Sequence, residues 1–293
     1  MMPEYIRTIS FSMILIISIY QLISGIITIG TFQMILNYSG TIFIIAQQLS
    51  IITSDISRAL STKNILLEYI EDNKRKSYKK PKEEINNILV KNLSYGYNGS
   101  NLIENLSFSA YKNEIIIIKG QSGIGKTTLL DILSGRKEIG KGEIKINNNN
   151  DIGIKDITDK ISYMTQNDYI FNESVYENIS LGRNIDKEKI REILDFLKLK
   201  DIPLDYNLEK NGNNISGGQK SRILLARALI AKEKEIILLD EPLNGVDKKT
   251  KKKILDGLNK FLKNKIVIIS THDKDISKIG KIVDIEKYSN YSI

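Results

Sequence analysis

The chain changes character along its length. From Ile9 to Ile29 the residues are almost wholly apolar and carry no charge. Gln33 to Thr53 is a second uncharged stretch, interrupted by Asn37, Gln47 and Gln48. About 20 consecutive apolar residues suffice for a helix to cross the hydrocarbon core of a bilayer. Gly25 to Thr31, between the two stretches, is long enough only for a turn. The pattern predicts a hairpin of two transmembrane helices. Leu49, Ile52, Ile56, Leu60, Leu67 and Ile70 then recur at helical spacing, so the second helix is expected to run on beyond the membrane. Arg7 flanks one end of the hairpin and Arg58 and Lys63 the other, while the loop between is uncharged. The positive-inside bias puts both ends in the cytoplasm. A secretory signal peptide is the competing reading of the first stretch. No small-residue cleavage site follows it, and a second apolar stretch does.

From residue 86 onward the pattern is different. Short β-branched runs alternate with segments of helical spacing, which predicts an α/β core built on a parallel sheet. Glu114 to Lys119, Ile236 to Leu239 and Ile266 to Thr271 read as buried strands. Thr127 to Leu133 reads as a helix that stops near Gly135. Gly217 to Lys232 reads as another, with Ile223, Leu224, Leu229 and Ile230 on its apolar side. Phe171 to Lys210 reads helical, as Ser174 to Ile179 and then Lys187 to Leu199. Asn147 to Asp151 is a polar turn. The expected organisation is a helical hairpin with its extension over 1–72, a basic linker over 73–85, and an α/β domain over 86–293.

The linker carries Lys74-Arg75-Lys76 and Lys79-Lys80-Pro81-Lys82. Two readings stay open for it, contact with anionic headgroups or plain solvation. Net charge is +8, from 43 basic and 35 acidic residues. Much of the surplus sits in the linker, so the charge does not call for a nucleic-acid partner. There is no cysteine, hence no disulfide. The abundance of Lys, Asn and Ile fits an AT-rich bacterial genome.

Within the α/β part, Gly120-Gln121-Ser122-Gly123-Ile124-Gly125-Lys126-Thr127 fits G-x-x-x-x-G-K-[ST] without departure, between an expected strand and an expected helix. The glycines let backbone N–H groups approach phosphates, and the helix N-terminus adds a favourable field. Gly120, Ser122, Gly123, Gly125, Lys126, Thr127 and Thr128 are thus candidate ATP-binding residues. Lys126 is expected to reach the β- and γ-phosphates, and Thr127 to hold Mg²⁺. Downstream, Asp240 and Glu241 end a strand, where open α/β sheets place their ligands. An acidic pair at a strand end is common on ordinary surfaces. Beside a phosphate loop it reads as a Mg²⁺ ligand, Asp240, and a general base that polarises water, Glu241.

Ile215-Ser216-Gly217-Gly218-Gln219 makes the resemblance specific: the chain closely resembles the ATP-binding cassette (ABC) proteins. The resemblance covers essentially all of 86–293. It implies a P-loop cassette with a helical subdomain, working as a homo- or heterodimer with a second ABC subunit. Ser216, Gly217, Gly218 and Gln219 would start a helix facing the ATP held by the partner, and Lys220 and Arg222 would add donors. His272, the only histidine, matches the family's switch histidine at the γ-phosphate. Gln166 matches the glutamine of the Mg²⁺ or water shell, Asp247 the aspartate of the loop crossing the dimer seam, and Tyr97 the aromatic that stacks on adenine. Tyr95 is the rival for that last role. One position departs. Exporter-type cassettes carry a glutamate shortly before the serine-glycine-glycine element, and here Lys210 stands there with Glu209 beside it.

The order of hairpin then cassette resembles the C-terminal part of an exporter half-transporter, whose six spans are reduced to two. The resemblance implies an ATPase of a bacterial cytoplasmic membrane, multi-pass, with its cassette in the cytoplasm, exporting a peptide, lipid or drug. A chain supplying the missing spans would be a further partner. The alternative is a truncated, membrane-tethered ATP-binding module that pairs with a complete transporter subunit. A DNA-repair or translation ATPase fits poorly, because no room for a long coiled coil separates the phosphate loop from the acidic strand.

Overall fold

A computed structural model of the chain describes residues 4–75, 83–97 and 100–289. It divides into two compact units, 1–77 and 78–293.

The first unit is helical. α1 (Glu4–Ile23) and α2 (Ile29–Arg75) are joined by a short turn. α1 ends at Ile23, just ahead of the turn expected over Gly25 to Thr31. Gly25 takes a left-handed conformation at φ +72°, and the N–H groups of Ser24, Gly25 and Ile26 cap the carbonyls of Tyr20, Leu22 and Gln21. Glycine reaches that conformation without a Cβ penalty and so ends helices readily. The expected span therefore splits between α1 and the turn. Among the described residues only Ile29–Lys63 is long and apolar enough to cross a membrane, and Ile9–Ile23 is a shorter apolar helix. α2 runs unbroken to Arg75, as the recurrence of Leu and Ile predicts. Residues 76–82 of the basic linker lie outside the described residues.

The second unit holds two sheets. β1 (Asn87–Tyr97), β2 (Ser100–Tyr111) and β4 (Lys141–Ile146) form an antiparallel sheet in the order β2-β1-β4. β3 (Ile115–Lys119), β5 (Ile161–Met164), β6 (Ile236–Asp240), β7 (Ile266–Thr271) and β8 (Lys281–Asp284) form a parallel sheet in the order β5-β6-β7-β3-β8. The near-continuous apolar runs of β3, β6 and β7 suit strands covered on both faces.

Alternation along each strand decides which residue meets which layer. Ile116, Ile118, Leu238 and Ile268 pack with the antiparallel sheet and with Leu129, Leu130 and Leu133 of α3 (Lys126–Leu133). Ile117, Ile237, Leu239 and Ile269 face the opposite way. There they meet α5 (Lys187–Phe196), α6 (Gly217–Leu229) and α7 (Lys248–Leu262). The observed class is the expected one: mixed α/β with a parallel sheet.

Two expectations shorten. The stretch 171–210 holds only α4 (Val175–Ser180) and α5, and turns fill the rest. α6 stops at Leu229 rather than Lys232. The Lys265 ammonium gathers the carbonyls of Ala231 and Lys232, at 3.4 and 3.1 Å, and turns the chain into β6.

Candidate functional site

The phosphate loop links β3 to α3. Gly125 is the residue before the helix, at φ +106°, and a Cβ there would come within 3.1 Å of the Tyr95 ring. A side chain there would be strained by the positive φ and would crowd the Tyr95 ring. Ser122 and Gly123 face solvent, whereas Lys126 is 7% exposed and Thr128 is buried in α3. The Lys126 ammonium donates to the carbonyls of Gly120 and Gln121 at 2.8 and 2.9 Å. It is thus folded against the base of its own loop.

β6 delivers Asp240 next to this loop. Asp240 is 1% exposed, and its two oxygens accept from two hydroxyls: Thr127 Oγ1 at 2.7 Å and Ser270 Oγ. A buried carboxylate is tolerable only when so paired. Glu241 then turns out of the strand with φ +49°, a left-handed conformation uncommon outside glycine. Its N–H remains bonded to the Ser270 carbonyl at 3.1 Å. Its carboxylate is held on both oxygens: Thr271 Oγ1 donates to Oε2 at 3.2 Å, and His272 Nδ1 lies 2.7 Å from Oε1. With the carboxylate as acceptor, the Nδ1–H of His272 is the donor in this contact. The Glu241 side chain is 10% exposed and that of His272 is 66% exposed. A strained backbone and a doubly anchored carboxylate aim one acid at the mouth of the site while the imidazole stands outside it.

Gln166 follows β5 and is exposed. It lines a cleft of about 310 Å³ with Glu241, Asn244, Gly217 and Lys220. That cleft brings the start of α6 beside the acidic strand end. Ser216 caps α6: its hydroxyl accepts from the Gln219 N–H at 3.2 Å, and the Gln219 side chain accepts from the Ser216 N–H at 2.8 Å. This reciprocal capping box fixes the helix start while Ser216 and Gly217 stay exposed. Gly218 is buried against the segment after Glu241, where a Cβ would lie 2.7 Å from the Gly245 carbonyl oxygen. Asp247 caps α7 through the Thr250 N–H at 2.9 Å. That hydrogen bond holds its carboxyl below the usual range.

Two expected donors prove to be occupied. Arg222 donates to the carbonyls of Gly218, Leu197 and Lys198, tying α6 to the end of α5. Lys220 donates to Asn211 Oδ1 at 2.6 Å. Tyr95 is a packing residue, 2% exposed, with its hydroxyl 3.2 Å from the Gly125 carbonyl and its phenol pKa pushed up by burial. Tyr97 closes β1 opposite Ser100, and its side chain lies outside the described residues. Glu209 and Lys210 are both exposed just before the α6 cap.

Ser270 and Thr271 escaped the sequence reading, although they precede His272 directly and share its strand end. Glu286, which accepts from the Gln121 N–H at 2.8 Å, carried no signal at all. It lies 165 positions away on another element.

Residues 103–244 match the protein family described as "ABC transporter". Over 286 residues the chain is 30% identical to the microcin-J25 export ATP-binding/permease protein of Escherichia coli, covering 93% of this chain and 49% of that protein. It is 32% identical over 200 residues to a putative ABC transporter ATP-binding protein of Methanocaldococcus jannaschii, covering 63% of this chain and 71% of that protein. Its fold resembles that of a bacterial Atm1-family ABC exporter with ATP bound, with a TM-score of 0.65 at 20% identity, covering 96% of this chain and 52% of that one. The chain spans about half the length of these exporter relatives.

Proposed function

This chain belongs to the ABC transporter family of ATP-binding proteins, and we propose that it binds and hydrolyses ATP to drive export across a bacterial cytoplasmic membrane. The observation that carries the proposal is the Glu241 carboxylate, fixed between Thr271 and His272 beside the Thr127–Asp240 pair.

The exposed N–H groups of the phosphate loop and the start of α3 would bind the phosphates. Lys126 would stay seated on its two loop carbonyls and turn its remaining N–H toward the β- and γ-phosphate oxygens. Thr127 and Asp240, a hydroxyl and a carboxylate already in contact, fit the oxygen-only shell of Mg²⁺, with Gln166 as a further oxygen donor. When bound, that ion would offset phosphate charge. Glu241 would orient water toward the γ-phosphorus and accept its proton as the bond to the β–γ bridging oxygen breaks. His272 would hold Glu241 in place through Nδ1 and offer its ring to the γ-phosphate. Tyr97 is the stacking residue for adenine in this proposal, since Tyr95 is buried under the loop.

The Ser216-Gly217-Gly218-Gln219 start of α6 would receive the ATP of a second ABC subunit, with Asp247 at the seam between them. The exposure of Ser216 and Gly217 at a capped helix N-terminus supports this. Ile29–Lys63 supports membrane attachment, and Ile16, Ile23, Ile42 and Leu49 are each more than half exposed. The remaining spans of the export path would come from a longer or separate chain. We extend to this protein the export of a peptide, lipid or drug.

The test is ATP turnover by the full chain in membranes, with Lys126→Ala beside it. Turnover and nucleotide affinity should both fall in the variant. Unaltered affinity would remove Lys126 from the site.

A further inference from the structure

The segment after β8 touches the phosphate loop at one point, and that point bears on Lys126. Asp284 caps a short 3₁₀ turn over Ile285–Tyr288 by accepting from the Glu286 N–H at 3.2 Å. Ile285 is fully buried, with its Cγ1 3.1 Å from where a Gly120 Cβ would stand. Ser289 bridges to Ile103 of β2. Thus fixed, Glu286 accepts from the Gln121 N–H through Oε1 at 2.8 Å.

The Gln121 N–H and the Gly120 carbonyl belong to the same peptide plane. One end of that plane donates to Glu286, and the other accepts from the Lys126 ammonium at 2.8 Å. A carboxylate and an ammonium are therefore joined through a single peptide unit. Each bond polarises the plane in the direction that strengthens the other. Among the described residues no lysine or arginine forms an ion pair with Glu286. A negative charge at the rim of a polyphosphate site opposes its ligand. The placement is explained if its hydrogen bond matters more than its charge.

We propose that Glu286 is a positioning residue for Lys126. It locks the Gly120–Gln121 peptide plane and so holds the base of the phosphate loop, and the ammonium folded on it, in one arrangement before nucleotide binds. The proposal rests on the reading of 120–127 as an ATP site.

The experiment is equilibrium binding of a fluorescent ATP analogue, with steady-state ATPase, on the full chain in detergent. It compares wild type, Glu286→Ala, Glu286→Gln, Lys126→Ala and the double variant Glu286→Ala/Lys126→Ala. Glu286→Ala should weaken binding about tenfold, equivalent to about 1.4 kcal/mol, and raise KM more than it lowers kcat. Glu286→Gln keeps an acceptor oxygen and should rescue affinity to within about twofold of wild type. In the Lys126→Ala background the alanine at 286 should cost nothing further, because the residue it acts through is gone. Equal or tighter binding by Glu286→Ala, no rescue by Gln, or an undiminished loss in the double variant would overturn the proposal. If Lys126→Ala itself left affinity unchanged, the ATP-site reading would fail instead.

Discussion

Ser270→Ala removes one of the two hydroxyls that satisfy Asp240. Ser270 is fully buried in β7 and Asp240 is 1% exposed, so no solvent replaces the lost donor. One oxygen of the buried carboxylate then has no partner. A hydrogen bond to a charged group contributes about 1.5–3 kcal/mol net, and about 2 kcal/mol is a reasonable centre for this one. For a domain of this size each kcal/mol moves the melting temperature by about 2–4 °C. The cassette's calorimetric transition should therefore fall by about 4–8 °C. Calorimetry suits the chain because it contains no tryptophan to report unfolding by fluorescence. The cause is checked by repeating the change in an Asp240→Asn background. The bond there is neutral on both sides, and its loss should cost only about 1 kcal/mol. A shift of less than about 1 °C in the parent protein, or an equal shift in both backgrounds, would refute the reasoning.

Further outcomes follow from neighbouring contacts. Gly218→Ala forces a Cβ to within 2.7 Å of a backbone carbonyl. It should cost about 1–3 kcal/mol and weaken ATP-driven dimerisation while sparing nucleotide binding to the phosphate loop. Equal losses in light scattering and in binding would contradict this. The Asp247 cap has a carboxyl held below its usual pKa by the Thr250 N–H, so its stabilisation is complete above the unfolded value, about 4. That stabilisation is lost as pH falls through the lowered folded value. The melting-temperature advantage of wild type over Asp247→Ala should shrink below about pH 4, and an advantage independent of pH would exclude the capping role.

The sequence made much of this architecture legible for a physical reason. β3, β6 and β7 are short runs of Ile, Leu and Val, covered on both faces. The residues that interrupt them, Gly120 to Thr127, Asp240-Glu241 and His272, break the apolar pattern where strands end. Local breaks of this kind are readable. Relationships across elements are not. Nothing in a linear string sets Glu286 against Gln121, ties Arg222 to the end of α5, or buries Tyr95 beneath Gly125 while Tyr97 closes the strand two positions on. Apolar composition continues through Ser24–Thr28, but Gly25 has left the helix. Ser270 and Thr271 were hidden by their ordinary strand character, and only the folded sheet turns their hydroxyls toward Asp240 and Glu241.

The central claim is that Glu241 is the base of an ATPase, and Glu241→Gln tests it most directly. The side chain keeps its size and one of its two acceptor oxygens for Thr271 and His272, but can no longer take a proton from water. ATP turnover should fall by about 10²–10⁴-fold, while nucleotide affinity is retained and the ATP-bound dimer accumulates. Turnover unchanged from wild type would contradict the assignment outright.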